Sequence, residues 1–307
     1  MISDMCVDYL RRLGVDRPAA PSVEGLFALQ RAHLERVPYE NIDIQLGRPP
    51  GIDPELSVRR LAAGLGGYCF HLNGAFSALL EALGYDVTRH LGGVYKESDA
   101  RGVNGDHLAL VVRVGGAAFF VDVGLGDGPH EPLPLREGAH RRGDFRYALE
   151  PLVPLDGEGP GWTYRNPDGP FPVMNFRSAT ATMAGFEAEH LRLSTSRDSG
   201  FVRTFAMLRR DAHGIDALRG RVLSRIDPLK GTTDRELHTP EEFFGVLNGV
   251  FGRSLDELTA ADRAALWERV DRAHETWRQS REESRDTSRD EFRDEPRQRA
   301  AEESRVG

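Results

Sequence analysis

The stretch His107-Leu-Ala-Leu-Val-Val-Arg-Val-Gly-Gly-Ala-Ala-Phe-Phe-Val-Asp122-Val123 decides how the chain is read. Two β-rich runs meet at Gly115-Gly116, and a Gly-Gly pair between such runs signals a two-residue hairpin. In that register Val114 faces Ala117 and, counting back, Ala109 faces Asp122. Side chains alternate along a strand, so His107 shares a face with Ala109 and is a diagonal neighbour of Asp122. That is hydrogen-bonding reach for an imidazole and a carboxylate. A slip of one residue would send the two to opposite faces, so the inference depends on the turn. Asp122 also stands inside an apolar strand, where a buried carboxylate needs a partner.

Upstream, Gly66-Gly67-Tyr68-Cys69-Phe70 opens a helix expected from about Cys69 to Leu83, with Phe76, Leu79, Leu80 and Leu83 on one face and Gly84 as its stop. The paired glycines let the backbone turn sharply. A thiol at a helix N-terminus faces unpaired N–H groups that favour thiolate. Asp122 can fix the tautomer of His107 and favour its charged form, which in turn holds Cys69 as thiolate. Taken singly, Cys69 reads as a small buried hydrophobe and His107 as a satisfied strand-end histidine. Taken together, Cys69, His107 and Asp122 favour a nucleophilic site.

Around these motifs the chain divides into materials of different pattern. Residues 1–85 read as helical, with Ser22 capping a helix over Val23–Val37 that Pro38 ends. Residues 86–190 carry β-runs at Asp86–Val94, Leu108–Val114, Ala117–Val123, Phe145–Leu149 and Trp162–Tyr164, expected to form a small antiparallel barrel or sheet. Residues 191–277 add strands at Phe201–Leu208 and Arg221–Ile226 and helices at Pro240–Asn248 and Asp262–His274. In residues 278–307, Ser280-Arg-Glu, Ser284-Arg-Asp, Ser288-Arg-Asp and Phe292-Arg-Asp make a four-residue repeat. So little apolar surface predicts a disordered tail or frayed helix.

The 307 residues carry a formal charge of -8, which excludes a basic field for gathering nucleic acid. No apolar run is long enough for a membrane span, and acids stand where a signal peptide would have its apolar core. Two cysteines, Cys6 and Cys69, are too few for a disulfide framework, so a reducing, cytoplasmic setting is expected. No metal-ligand spacing is present; His71, His90 and His130 read as surface or structural residues. Glu40-Asn41 reads as a turn. Gly124-Leu-Gly-Asp-Gly128 reads as a glycine connection rather than a phosphate loop, and Ser194-Thr-Ser196 as either a phosphate contact or a cap for a following element.

Pro38-Tyr-Glu-Asn-Ile-Asp43, Gly66-Gly-Tyr-Cys-Phe70 with Asn73, Asp106-His107, Val121-Asp-Val-Gly124 with Gly126, Ser194-Thr-Ser196 with Phe201, and Leu218-Arg-Gly-Arg221 resemble motifs of the bacterial arylamine N-acetyltransferases. The resemblance spans residues 5–275. It implies an α+β fold of three domains: an N-terminal helical bundle carrying the nucleophile, a central antiparallel β-barrel carrying His107 and Asp122, and a C-terminal α/β lid. It implies ping-pong transfer from acetyl-CoA, as cosubstrate rather than resident cofactor, through Cys69 to an arylamine, arylhydrazine or N-hydroxyarylamine. By motif position Gly124, Gly126 and Asp127 would meet the coenzyme, and Tyr39, Phe70 and Leu125 the acceptor.

Three positions depart from the family pattern. Leu65 stands where an arginine usually supports an acid of the first domain, so Glu40 is expected to lack its usual partner. His71 replaces a Glu or Gln, and Leu125 an aromatic at the acceptor pocket. Leu65, Leu125 and the arginine-rich, GC-biased composition leave room for a related amide synthase, which takes a long acyl chain from an acyl carrier protein. A papain- or transglutaminase-type hydrolase and a ligand-binding paralogue are the remaining readings.

Overall fold

The computed structural model describes residues 4–280 apart from 154, 156, 158 and 168. The repeat from residue 281 onward, and with it the tail expectation, lies outside the described residues. The N-terminal part is helical: α1 (Asp4–Leu13), α2 (Val23–Arg36), the short α3 (Ile42–Gln45), α4 (Pro54–Ala62) and α5 (Cys69–Ala82). Ser22 Oγ accepts from the Gly25 N–H at 3.0 Å, the N-cap expected of it. α4 had a legible signal that the sequence reading passed over: Asp53 caps the Leu56 N–H at 2.8 Å and Pro54 sits in the first turn. Gly84 ends the α5 segment with φ +88, a left-handed conformation that glycine takes without strain.

Eight antiparallel strands follow in the spatial order β5-β4-β3-β2-β9-β8-β7-β6. They are β2 (Asp86–Tyr95), β3 (His107–Val114), β4 (Ala117–Val121), β5 (Leu133–Pro134), β6 (Gly138–Arg142), β7 (Phe145–Leu152), β8 (Gly161–Arg165) and β9 (Val173–Thr180). The sheet curls like a barrel, open between β5 and β6. The β3–β4 hairpin has the expected register, Val114 opposite Ala117 and Leu110 opposite Val121, with Gly115 and Gly116 both at positive φ. β3 is buried on both faces. Leu108, Leu110 and Val112 join the core of α5 with Phe76, Leu79 and Leu80, whereas Ala109 and Val111 face Phe120, Tyr164 and Phe176 inside the barrel. This double burial explains why β3 reads as an unbroken apolar run.

A second sheet has the order β1-β10-β11-β12-β13: β1 (Tyr39–Glu40), β10 (Ala206–Arg210), β11 (Ile215–Arg219), β12 (Val222–Asp227) and β13 (Gly231–Glu236). α8 (Pro240–Gly249) and a helix over residues 260–280 close it, packing Phe243, Leu247 and Leu266 on Phe205, Met207 and Leu218. Its first strand, β1, belongs to the N-terminal part and pairs Tyr39 with Leu208 and Glu40 with Met207. The two sheets and the helical layer together form the α+β architecture that the motifs implied.

One expected strand differs. Residues 201–208 begin as the helical turn α7 (Gly200–Arg203), because the Ser199 hydroxyl accepts from the Phe201 N–H, and the strand starts only at Ala206. Before it, α6 (Glu187–Thr195) occupies a stretch read as having no element. Its last turn takes up the serine-threonine motif: the Thr195 hydroxyl donates to the Leu191 carbonyl at 2.6 Å, and Ser196 is the C-cap. Ser194–Ser196 thus ends the helix before it, and the cap of the following turn is Ser199.

Candidate active site

Cys69 is the first residue of α5, and Tyr68, its N-cap, offers no side-chain bond to the open N–H groups of that first turn. The thiol therefore sits at the positive end of a 14-residue helix whose final residues pack on β3. The two glycines before it serve close approach rather than turn geometry, since neither adopts positive φ. A Cβ on Gly66 would lie 2.5 Å from the Pro38 carbonyl oxygen, and one on Gly67 would lie 2.7 Å from the His71 Cβ. Gly124, at the exit of β4, meets the nucleophile in the same way: its Cβ would stand 2.8 Å from the Cys69 Cα.

The structure brings Cys69, His107 and Asp122 together. His107 Nε2 lies 2.7 Å from Asp122 Oδ2, as the hairpin register anticipates, and the imidazole is within reach of the Cys69 thiol, which itself donates to the Asp106 carbonyl at 3.5 Å. All three are buried, with 4%, 2% and 0% of their surface exposed. That burial sets the electrostatics. It would lower His107, but the charge and hydrogen bond of Asp122, joined by Cys69, outweigh it and hold the imidazole well above its ordinary value. Burial pushes the Cys69 thiol up; the hydrogen bond and charge of His107 pull the other way. The thiolate is thus available only as long as the imidazolium stands beside it. Such a group of side chains can attack an activated acyl carbon and pass the proton.

Asn73, one turn along α5 from Cys69, locks this arrangement. Its amide donates to Asp122 Oδ1 at 3.0 Å and to the Leu108 carbonyl at 2.6 Å, and its oxygen accepts from the Val123 N–H. The Gly124 N–H donates to the same Asp122 oxygen at 2.8 Å. The role of Asn73 went unread, although its i+4 spacing from Cys69 places both on one helix face.

Glu40 and Asn41 are more than a turn. Asn41 donates to the carbonyls of Phe201 and Thr204 and accepts from the Ala206 N–H, fastening α7 and β10 to the N-terminal part. Glu40 has a guanidinium after all: that of Arg253, 3.1 Å away, with both side chains almost wholly buried. Arg253 also contacts Glu257 at 2.6 Å. The Glu40 N–H in turn donates to the Gly67 carbonyl at 2.8 Å, two residues before the nucleophile. A pair separated by more than 200 positions leaves no local pattern, and so Arg253 could not be found from spacing.

The remaining candidates divide. Tyr39 and Leu125 both pack against the barrel-side core to which Leu208 belongs, and a Cβ on Gly126 would meet Leu208 and Tyr39 at 3.3 and 3.4 Å. Phe70 has no exposed surface and packs on Tyr68 and Phe186 in the helical core. Asp127 is also buried, its carboxyl held by the Asn166 amide at 3.3 Å, and burial raises it to about 7 despite Arg219 and Arg210. His71, His90 and His130 are structural, bonded to the Pro50 carbonyl, to Thr88 and the Ala179 carbonyl, and to Glu35. Among the described residues no three metal-binding side chains converge, and no helix is long and apolar enough to cross a membrane.

Comparison with known proteins bears on the family and the fold. The family model described as N-acetyltransferase matches residues 22–260, well over half of the chain. Proansamycin X synthase of Amycolatopsis mediterranei is 34% identical over 41% of this chain and 50% of its own length. An arylamine N-acetyltransferase of Mycolicibacterium smegmatis is 33% identical over 57% of this chain and 75% of its own. The chain thus spans from half to three quarters of these curated relatives. The solved structure of Mycobacterium marinum arylamine N-acetyltransferase in complex with CoA superposes with a TM-score of 0.77 at 26% identity, covering 87% of this chain and 99% of that one. The chain belongs to the arylamine N-acetyltransferase family of acyltransferases.

Proposed function

We propose that the protein transfers an acetyl group from acetyl-CoA to the nitrogen of an arylamine, arylhydrazine or N-hydroxyarylamine by way of a Cys69 thioester. The observation that carries this reading is the buried contact chain Cys69–His107–Asp122 at the start of α5. The Cys69 sulfur attacks the acetyl carbonyl carbon, the bond to the coenzyme sulfur breaks, and His107 gives its proton to the departing thiolate. In the second half the acceptor nitrogen attacks the acyl-enzyme, His107 takes the proton from that nitrogen, and Cys69 leaves as thiolate. Asp122 keeps the imidazole oriented. Cys69 and the backbone around Gly124 and Gly126 form the face that a thioester has to reach. The carboxyl of Asp127 is engaged inside the protein, so its part in coenzyme binding falls to its backbone. Tyr39 and Leu125 are the acceptor-facing candidates; Phe70 supports the nucleophile from the core.

Initial rates measured over a grid of acetyl-CoA and arylamine concentrations test the sequence of steps. Parallel double-reciprocal lines, with coenzyme release in the absence of amine much slower than in its presence, are expected. Intersecting lines would require both substrates on the enzyme together and reject the acyl-enzyme route. Water outrunning every amine would instead indicate a hydrolase. The similarity to a protein named a synthase favours one second reading, amide formation from a longer, carrier-bound acyl thioester. Release from such donors but not from acetyl-CoA would select it.

A further inference from the structure

Away from the triad, a cavity of about 600 Å³ opens between the end of α1, the loop at Gly64 and the segment after α8. That volume is within the range of small-molecule sites. Its lining is cationic and polar: Arg12, Arg263, Asn248 and Ser254, with Phe244 as an apolar wall and Asp256 as its only acid. Arg263 is already held, donating to the Leu255 and Leu258 carbonyls over the Phe244 ring. Arg12 is not. Among the described residues its one hydrogen bond runs from Nη2 to the Gly252 carbonyl at 2.6 Å, its Nε is buried without a partner, and no carboxylate pairs with it.

The neighbours of Arg12 add positive charge rather than remove it. Its guanidinium is lowered from the ordinary value first by burial and then by Arg36 and Arg253. Arg253 spends its own charge on Glu40 and Glu257, and the nearest acid to Arg36 is Glu35 at 3.9 Å. Asp256 is occupied by the Ser254 hydroxyl, which donates to it at 3.0 Å. A half-buried guanidinium short of acceptors, set in a cavity beside a second arginine, is a planar cation whose Nη groups can grip an oxyanion with two parallel bonds.

We propose that this cavity is a binding site for a small phosphate-bearing anion, gripped by Arg12 and separate from the acyl-transfer site. An occupant would rest on residues 252–256, the segment whose Arg253 reaches Glu40 and, through β1, the glycines before Cys69. The site is therefore placed to register its ligand at the nucleophile loop without touching the triad.

Calorimetric titration of the full chain with inorganic pyrophosphate at low ionic strength tests the proposal. Wild type and Cys69→Ala are expected to bind it equally, and saturating acetyl-CoA to leave that binding in place. Arg12→Gln should weaken it about tenfold or more, the loss of a charge-assisted bidentate contact. Asp256→Asn, which removes the one acid in the lining, should tighten it, and this second variant keeps the test informative where Arg12→Gln fails to fold. Absence of binding to wild type, unchanged affinity in Arg12→Gln, unchanged or weaker affinity in Asp256→Asn, or displacement by acetyl-CoA would each overturn the assignment.

Discussion

Asp122 exerts its influence two side chains away. Its charge favours the imidazolium of His107, and the imidazolium favours the Cys69 thiolate against a burial that opposes it. Asp122→Asn keeps the size but loses the charge and turns one of the two accepting oxygens into an N–H donor, so it cannot serve both His107 and the Asn73 and Gly124 donors. The midpoint of Cys69 alkylation by iodoacetamide, followed against pH, should therefore move upward, and the rate near pH 7 should fall about tenfold or more, one tenfold step for each unit of displacement. An unmoved midpoint would mean that Asp122 does not govern the thiol. The pairing of His107 with Asp122 could be read from the sequence because a Gly-Gly turn sets the register and a strand has a period of two. The contacts of Asn73 with Asp122 and Val123 are not legible in the same way, since they depend on how α5 lies across β3 and no local period reports that.

At the scale of elements, β1 is where the molecule is joined. Two residues, Tyr39 and Glu40, extend the second sheet, bond to Gly67 and place Glu40 on Arg253. Truncating Arg253 to Ala would leave Glu40 buried without its counter-charge, a loss on the order of 3–5 kcal/mol. Arg253→Met with Glu40→Gln should recover much of that, because neither change then leaves a buried charge behind. Urea unfolding of the two singles and the double measures the coupling; simple additivity would show that the pair does not act as one. This junction also marks the limit of reading by pattern. Local signals such as Ser22, Gly84 and Gly115-Gly116 announce where elements start and stop. Contacts across 213 positions in the chain do not: a leucine at position 65 implies a missing partner for Glu40, whereas the partner comes from residue 253. The strand expected at Phe201 failed for a nearer reason, a serine cap whose claim on residues 200–203 outweighed their β propensity.

For the whole molecule, the buried titratable groups define a pH window. Burial lowers His33 and His71 to about 3. The unfolded chain binds their protons below about 6.5 and the folded chain does not, so stability is lost as pH falls from there toward 3. Asp127, raised to about 7, acts in the opposite sense: the folded chain keeps its proton while the unfolded chain releases it above about 4, so stability is lost as pH rises from about 4 to 7. Asp127→Asn should therefore raise Tm more at pH 8 than at pH 5, and an equal shift at both would contradict a carboxyl neutral below 7. The same burial that sets this window also encloses the triad, and the claim on which the functional account stands is that Cys69 becomes acylated there. Intact-protein mass spectrometry after mixing with acetyl-CoA measures this directly, with Cys69→Ala beside it. The account predicts one acetyl group added to the wild type alone and removed again by an aromatic amine. No adduct on folded wild type, or the same adduct on Cys69→Ala, would contradict it.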